Sequence, residues 1–209
     1  MKNRKRNRMK GFDYSSNNIY FVTICVQNRE CCFGYVGTGR DLSVHHPNEN
    51  HPNENHPNEN HPNGNDSNEN DSNGNDSNEN IKNDFSGIKM NLNEYGMIVD
   101  EQIIWLEKQY PYAVIHNYAV MPNHVHIILE VDSLKVKDCT IKIKSLSSLI
   151  GAFKTTSSKI IHKKGLETFA WQRSFHDHII RNEKAYDTIF NYIDLNPQKW
   201  YQDCFYEKN

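Results

Sequence analysis

The stretch Tyr118–Glu130, YAVMPNHVHIILE, decides the fold. Met121-Pro122-Asn123 is a turn signal, since proline presets φ and asparagine tolerates turn geometry. Apolar runs flank it on both sides, so it reads as two strands, Tyr112–Val120 and His124–Val131, joined tightly. Successive side chains of a strand point to opposite faces. His124 and His126 therefore project side by side, while Val125 packs behind them.

Working outward, Ile19–Val26 (IYFVTICV) is rich in β-branched and aromatic residues and reads as a buried strand. Cys32–Gly39 and Ile88–Leu92 read as a short hairpin. Glu94–Gln109 carries Met97, Ile98, Ile103, Ile104 and Leu106, followed by Tyr110, at helical spacing, and Ser145–Lys163 does so with Leu146, Leu149, Ile150, Phe153, Ile160 and Ile161. Phe169–Ile180 reads as a further strand. Asn182–Asn196 reads as a last helix, stopped by Pro197 because the residue before a proline is disfavoured in the helical region. The order strand, helix, strand, strand, helix, strand, helix predicts an α+β fold, an antiparallel sheet with helices on one face.

One segment stands outside this pattern. From His46 to Asn80 a pentapeptide recurs seven times, as HPNEN, HPNGN, DSNEN or DSNGN, with no apolar side chain. It is expected to be a disordered insert at a hairpin tip, where long loops are tolerated. Tandem expansion explains its periodicity better than a metal-buffering role for its histidines. It holds eight acids and no Lys or Arg, so the formal charge of −2 becomes +6 without it. The remaining chain suits one domain, residues 12–203, with a basic arm at 1–11 and a tail at 204–209. A basic domain favours an anionic partner.

Five cysteines without a CxxC pair argue against a disulfide framework and a zinc knuckle and fit a reducing, cytoplasmic setting. No apolar run approaches the ~18 residues of a membrane span, and the basic N-terminus lacks the apolar run of a secretory signal.

Two neutral imidazoles on one face can share a divalent metal. Taken alone, an HxH pair is more often a pair of surface or hydrogen-bonded histidines. In the last helix, Tyr192 and Asn196 lie four residues apart and so on one face. The tyrosine hydroxyl offers a nucleophile and the amide oxygen a third metal ligand. Each taken singly also fits a core-edge aromatic and a helix cap.

YAVMPNHVHIILE (118–130), WQRSFHDHIIRN (171–182), NYIDLNP (191–197) and FDYSSNNIYFVTICVQNRECCFG (12–34) together resemble the REP-associated tyrosine transposases, of the single-tyrosine HUH superfamily. The resemblance implies a ferredoxin-like HUH fold and a Mg²⁺- or Mn²⁺-dependent nickase and strand transferase. It implies His124, His126 and Asn196 as metal ligands, Tyr192 as nucleophile, and single-stranded DNA with hairpin elements as partner. The oligomeric state is left open between monomer and homodimer. Lys5, Arg6, Lys154, Lys159, Lys163 and Arg181 are candidate phosphate contacts, and His176, Asp177 and His178 candidate residues behind the ligands. Two other readings compete: a catalytically silent HUH-fold module that only grips single-stranded nucleic acid, and a phosphodiesterase using water, with Tyr192 structural.

Overall fold

β-Branched and aromatic side chains make Asn18–Cys25 the strand around which the main sheet is assembled. The computed structural model describes Met9 and residues 11–38, 87–138 and 140–206, all within one compact unit. In chain order the elements are β1 (Asn18–Cys25), β2 (Gly34–Gly37), β3 (Lys89–Leu92), α1 (Glu94–Gln109), β4 (Ala113–Met121), β5 (His124–Val131), α2 (Leu146–Lys163), β6 (His176–Ile180) and α3 (Glu183–Asp194). The sheet order is β4-β5-β1-β6, antiparallel throughout, and β2 and β3 form a separate hairpin. Setting that hairpin and α3 aside leaves β-α-β-β-α-β with the first strand between the third and fourth. That is the ferredoxin-like arrangement the resemblance implied.

The core lies on one face. Tyr20, Val22 and Ile24 of β1 and Val125, Ile127 and Leu129 of β5 meet α1 through Ile98, Val99, Ile103 and Leu106, and α2 through Leu146, Leu149, Ile150, Phe153 and Ile161. The expectation of helices on one face is corrected by α3, which covers the opposite face through Ile193, packed with Ile128 and Ile180. Strand β5 is buried on both of its faces along nearly its whole length, so it needs cover on both sides.

Three local expectations shift as well. Met97, Ile104 and Ile160 fit the helical period yet are exposed, and the polar Gln102 and Ser157 are buried instead. Ser157 earns its place by accepting the indole N–H of Trp171 at 2.9 Å. The strand predicted over Phe169–Ile180 is regular only from His176. Before that, Lys154 draws the carbonyls of Gln172 and Ser174 onto its ammonium, at 2.9 and 3.0 Å, and one bridge, Val26 to Trp171, remains. Finally, α3 ends at Asp194, and Asn196 keeps helical torsions (φ −60°, ψ −43°) although it precedes Pro197. The chain runs on into a 3₁₀ turn, Pro197–Gln202, in which proline's missing N–H is harmless at the first position.

Gly34 sits at φ +128°, where a Cβ would strike the carbonyl of Asn91 and part the β2–β3 hairpin. The pentapeptide insert, Lys5, Arg6 and residues 207–209 lie outside the described residues. Among the described residues, no helix is long and apolar enough to cross a membrane.

Candidate metal and tyrosine site

The β4–β5 hairpin places Met121 opposite His124 with only Pro122 and Asn123 between them. The turn is held from outside: Pro122 O accepts the amides of Cys32 and Phe33, and Asn123 O accepts that of Val26. Asn123 is buried, and its side chain has a complete set of partners. Its NH₂ group donates to Arg29 O and Phe205 O at 3.0 and 2.9 Å. Two carbonyl partners fix the amide's orientation, so Oδ1 is the atom 2.9 Å from His124 Nδ1. His124 therefore carries its proton on Nδ1, and its Nε2 lone pair points inward. On the neighbouring strand Thr23 Oγ1 lies 2.9 Å from His126 Nδ1 and braces the second ring from behind.

The two Nε2 atoms end 3.0 Å apart. Convergent lone pairs at that separation repel unless a proton or a cation lies between them. The spacing also suits two adjacent ligands of an octahedral cation with bonds of about 2.1 Å. Both rings are fully buried. Burial, with the Arg29 charge adding to it, pushes His124 down to about 3. Burial first, and then the neighbouring His124, hold His126 well below the ordinary imidazole range. Both are thus neutral, the form that binds metal.

Helix α3 and the turn after it supply the other wall. Tyr192 Oη lies 3.2 Å from His126 Nε2 and 3.5 Å from Asp203 Oδ2. Asn196 donates Nδ2 to the same Asp203 oxygen at 3.2 Å, leaving its buried Oδ1 with no hydrogen-bond partner. An orphaned buried carbonyl oxygen is costly unless something absent from the protein itself satisfies it. Burial, reinforced by the Asp203 charge, raises the Tyr192 phenol to about 12. It is protonated here, and any attack by it needs a proton acceptor. Aromatic rings close the site: Phe205 lies 4.6 Å from the His124 ring and Phe21 5.3 Å from the His126 ring.

Asp203 was not foreseen. With His124 and His126 it forms the one group of three His, Cys, Asp or Glu among the described residues whose ligand atoms lie within 4.8 Å of one another. No periodicity signals it, because the 3₁₀ turn carries the chain back over the site. Thr23 and the Asn123 side chain were missed too. Alternation could have found Thr23, since β1 pairs it with His126.

The remaining candidates do not converge here. His176 and His178 are opposite Thr23 and Phe21 on β1, hence on the histidine face but one strand further out, and both are exposed. Asp177 is opposite Val22 and faces the other side. Lys154, Lys159 and Lys163 belong to α2, in the layer across the sheet, where Lys154 is held by the two carbonyls already named. Arg181 follows Ile180, whose β1 partner is Ile19, at the end of the sheet away from His124.

Residues 100–196 match the family model "Transposase IS200 like". That segment holds the paired histidines, Tyr192 and Asn196, and it bears out the resemblance to the tyrosine transposases. An uncharacterised protein of Haemophilus influenzae is 25% identical over 216 residues, covering 97% of this chain and 93% of that one. A solved structure described as a REP-associated tyrosine transposase bound to a REP hairpin is 18% identical. It aligns with 96% of this chain and 74% of its own, at a TM-score of 0.45.

Proposed function

We propose that this transposase-like chain nicks and rejoins single-stranded DNA carrying hairpin elements, with Tyr192 as nucleophile and a Mg²⁺ or Mn²⁺ ion as cofactor. The observation that carries the proposal is the meeting of Tyr192 Oη with His126 Nε2 at 3.2 Å, beside the unpartnered oxygen of Asn196. His124 and His126 would hold the cation with Asn196 Oδ1, and Asp203, close to both imidazoles, would balance its charge. When bound, the cation supplies positive charge for a scissile phosphate oxygen and for the departing oxygen.

The chain's own residues do the rest. Tyr192 Oη attacks phosphorus as the bond from phosphorus to the 3′ oxygen breaks, giving a 5′-phosphotyrosine and a 3′-hydroxyl. The phenol proton passes to Asp203 Oδ2, its nearest carboxylate oxygen, and on to the leaving 3′ oxygen. Attack by another 3′-hydroxyl on the phosphotyrosine reverses the bond changes and joins a new end without external energy. Phe21, edge-on to Tyr192 with centroids 6.0 Å apart, limits where the ring can stand. Asn123 and Thr23 hold the imidazoles in the ligating orientation.

The test is a covalent adduct. Full-length protein incubated with labelled single-stranded hairpins and Mn²⁺ should give a denaturant-stable protein–DNA species. Tyr192→Phe should lose it completely while still folding and binding the hairpin. An adduct that survives in Tyr192→Phe would assign the nucleophile elsewhere. Cleavage without any adduct would favour hydrolysis by water, and binding without cleavage a silent module.

A further inference from the structure

Helix α3 carries Tyr192. Ile193 is its one fully buried residue, and Ala185, Tyr186, Ile189 and Phe190 pack half-buried around it. A second, polar set of contacts reaches it from the edge strand β4. The β4–β5 register slips between Ile115, opposite Leu129, and Asn117, opposite Ile128, so His116 is the extra residue of a β-bulge. In a regular strand His116 and Asn117 would point to opposite faces. The bulge turns both toward α3. His116 Nδ1 lies 3.1 Å from Tyr186 Oη, and its Nε2 lies 2.8 Å from Glu130 Oε2. Asn117 Nδ2 donates to Phe190 O at 3.3 Å and to Asp194 Oδ1 at 2.8 Å.

Tyr186, Phe190 and Asp194 are spaced four apart, a single stripe along α3. The two bulge residues thus grip the helix at three successive turns, and Tyr192 projects from the turn between the last two. The bulge also keeps Tyr118 on the core side, opposite Ile127, and the small Ala119 opposite His126. A slip of one residue would exchange those faces.

We propose that His116 and Asn117, braced by Glu130, are positioning residues for the nucleophile helix: they set how close Tyr192 Oη stands to His126 through Tyr186 and Asp194. The proposal rests on the reading of Tyr192 as nucleophile, and it also makes a claim independent of chemistry. Removing the latch should loosen α3 and leave the opposite layer alone, because α1 and α2 are held by a separate apolar core.

Two measurements on the full chain separate these claims. Amide hydrogen exchange in Asn117→Ala and Tyr186→Phe should speed up about tenfold or more over 186–194, with α1 and α2 unchanged. The rate of adduct formation at saturating hairpin DNA should fall on the order of tenfold to a hundredfold, since a displacement near 1 Å is that costly. DNA and Mn²⁺ affinity should stay as they are. Asp194→Asn keeps an oxygen for Asn117 and should retain the rate, whereas Asp194→Ala should lose it. Unchanged α3 exchange in both latch variants, or exchange rising equally in α1 and α2, overturns the latch. So does an adduct rate that is unchanged in Asn117→Ala, Tyr186→Phe and Asp194→Ala alike. If the unsubstituted protein forms no adduct, the function proposed above fails, and the exchange data still decide the latch.

Discussion

The two faces of the central sheet are built on different principles. Toward α1 and α2, alternate residues of β1 and β5 are fully buried and apolar, from Val22 and Ile24 to Ile127 and Leu129, the buried hydroxyl of Tyr20 being the exception. Toward α3, the same strands present Thr23, His124 and His126, and the helix above has one fully buried side chain. The first face supplies the stability that the second spends. Buried imidazoles, an orphaned amide oxygen and a phenol raised to about 12 all cost folding free energy. They are tolerable because a complete apolar core lies one strand-thickness behind them. The difference teaches that one β-strand can serve both ends, since its period of two separates core from chemistry.

The comparison is open to attack, the largest effect first. His124→Ala removes a buried nitrogen that faces His126 Nε2 at 3.0 Å. Cleavage should disappear, and Mn²⁺ affinity by calorimetry should fall by more than about a hundredfold, beyond the loss typical of outlying partners. Excess Mn²⁺ should restore part of the cleavage. Unaltered affinity would remove His124 from the ligand set.

On the other face, Phe153 is fully buried against α1 and the sheet. Phe153→Ala should cost about 3–5 kcal/mol in urea unfolding and leave Mn²⁺ affinity of the folded protein intact. Ile189→Ala, half-buried on α3, should cost only about 1 kcal/mol. Equal losses for the two would mean that the faces are not unequal after all.

Asn123→Ala sharpens the picture from behind the paired histidines. It frees the His124 ring to turn and leaves Arg29 O and Phe205 O without their donor. Mn²⁺ affinity should drop about 10–100-fold. A loss confined to stability would make Asn123 a turn residue only. The smallest effect is expected for deletion of His46–Asn80, which contains no apolar side chain. The melting temperature should move by no more than about 2 °C, less than 1 kcal/mol would produce. A larger shift would give the insert a structural role.

Much of this was legible in one dimension. The strand order, the HxH pair, the Pro-Asn turn and the four-residue step from Tyr192 to Asn196 are local patterns, and chain periodicity alone dictates which of those side chains share a face. The paired histidines and the amphipathic segments sufficed for an antiparallel α+β sheet, and the quoted blocks for the family resemblance. Reading went wrong where non-local contacts outbid local rules. Lys154 ended a strand early by binding two carbonyls eighteen and twenty residues away. Asn196 is a local exception: it stays helical before a proline while the following turn closes on its own carbonyl, through Lys199 N at 3.1 Å.

What only the tertiary structure decided is which face each helix covers and what completes the site. Asp203 meets two histidines almost eighty residues earlier in the chain because α3 and the turn after it fold the C-terminal segment over the sheet. The bulge at His116 has no signature in composition, since it is a property of pairing between two strands. Sequence determines the side-chain period of each element by itself. Register, layer and the meeting of distant groups are set by burial summed over the whole chain, and no local pattern contains that sum.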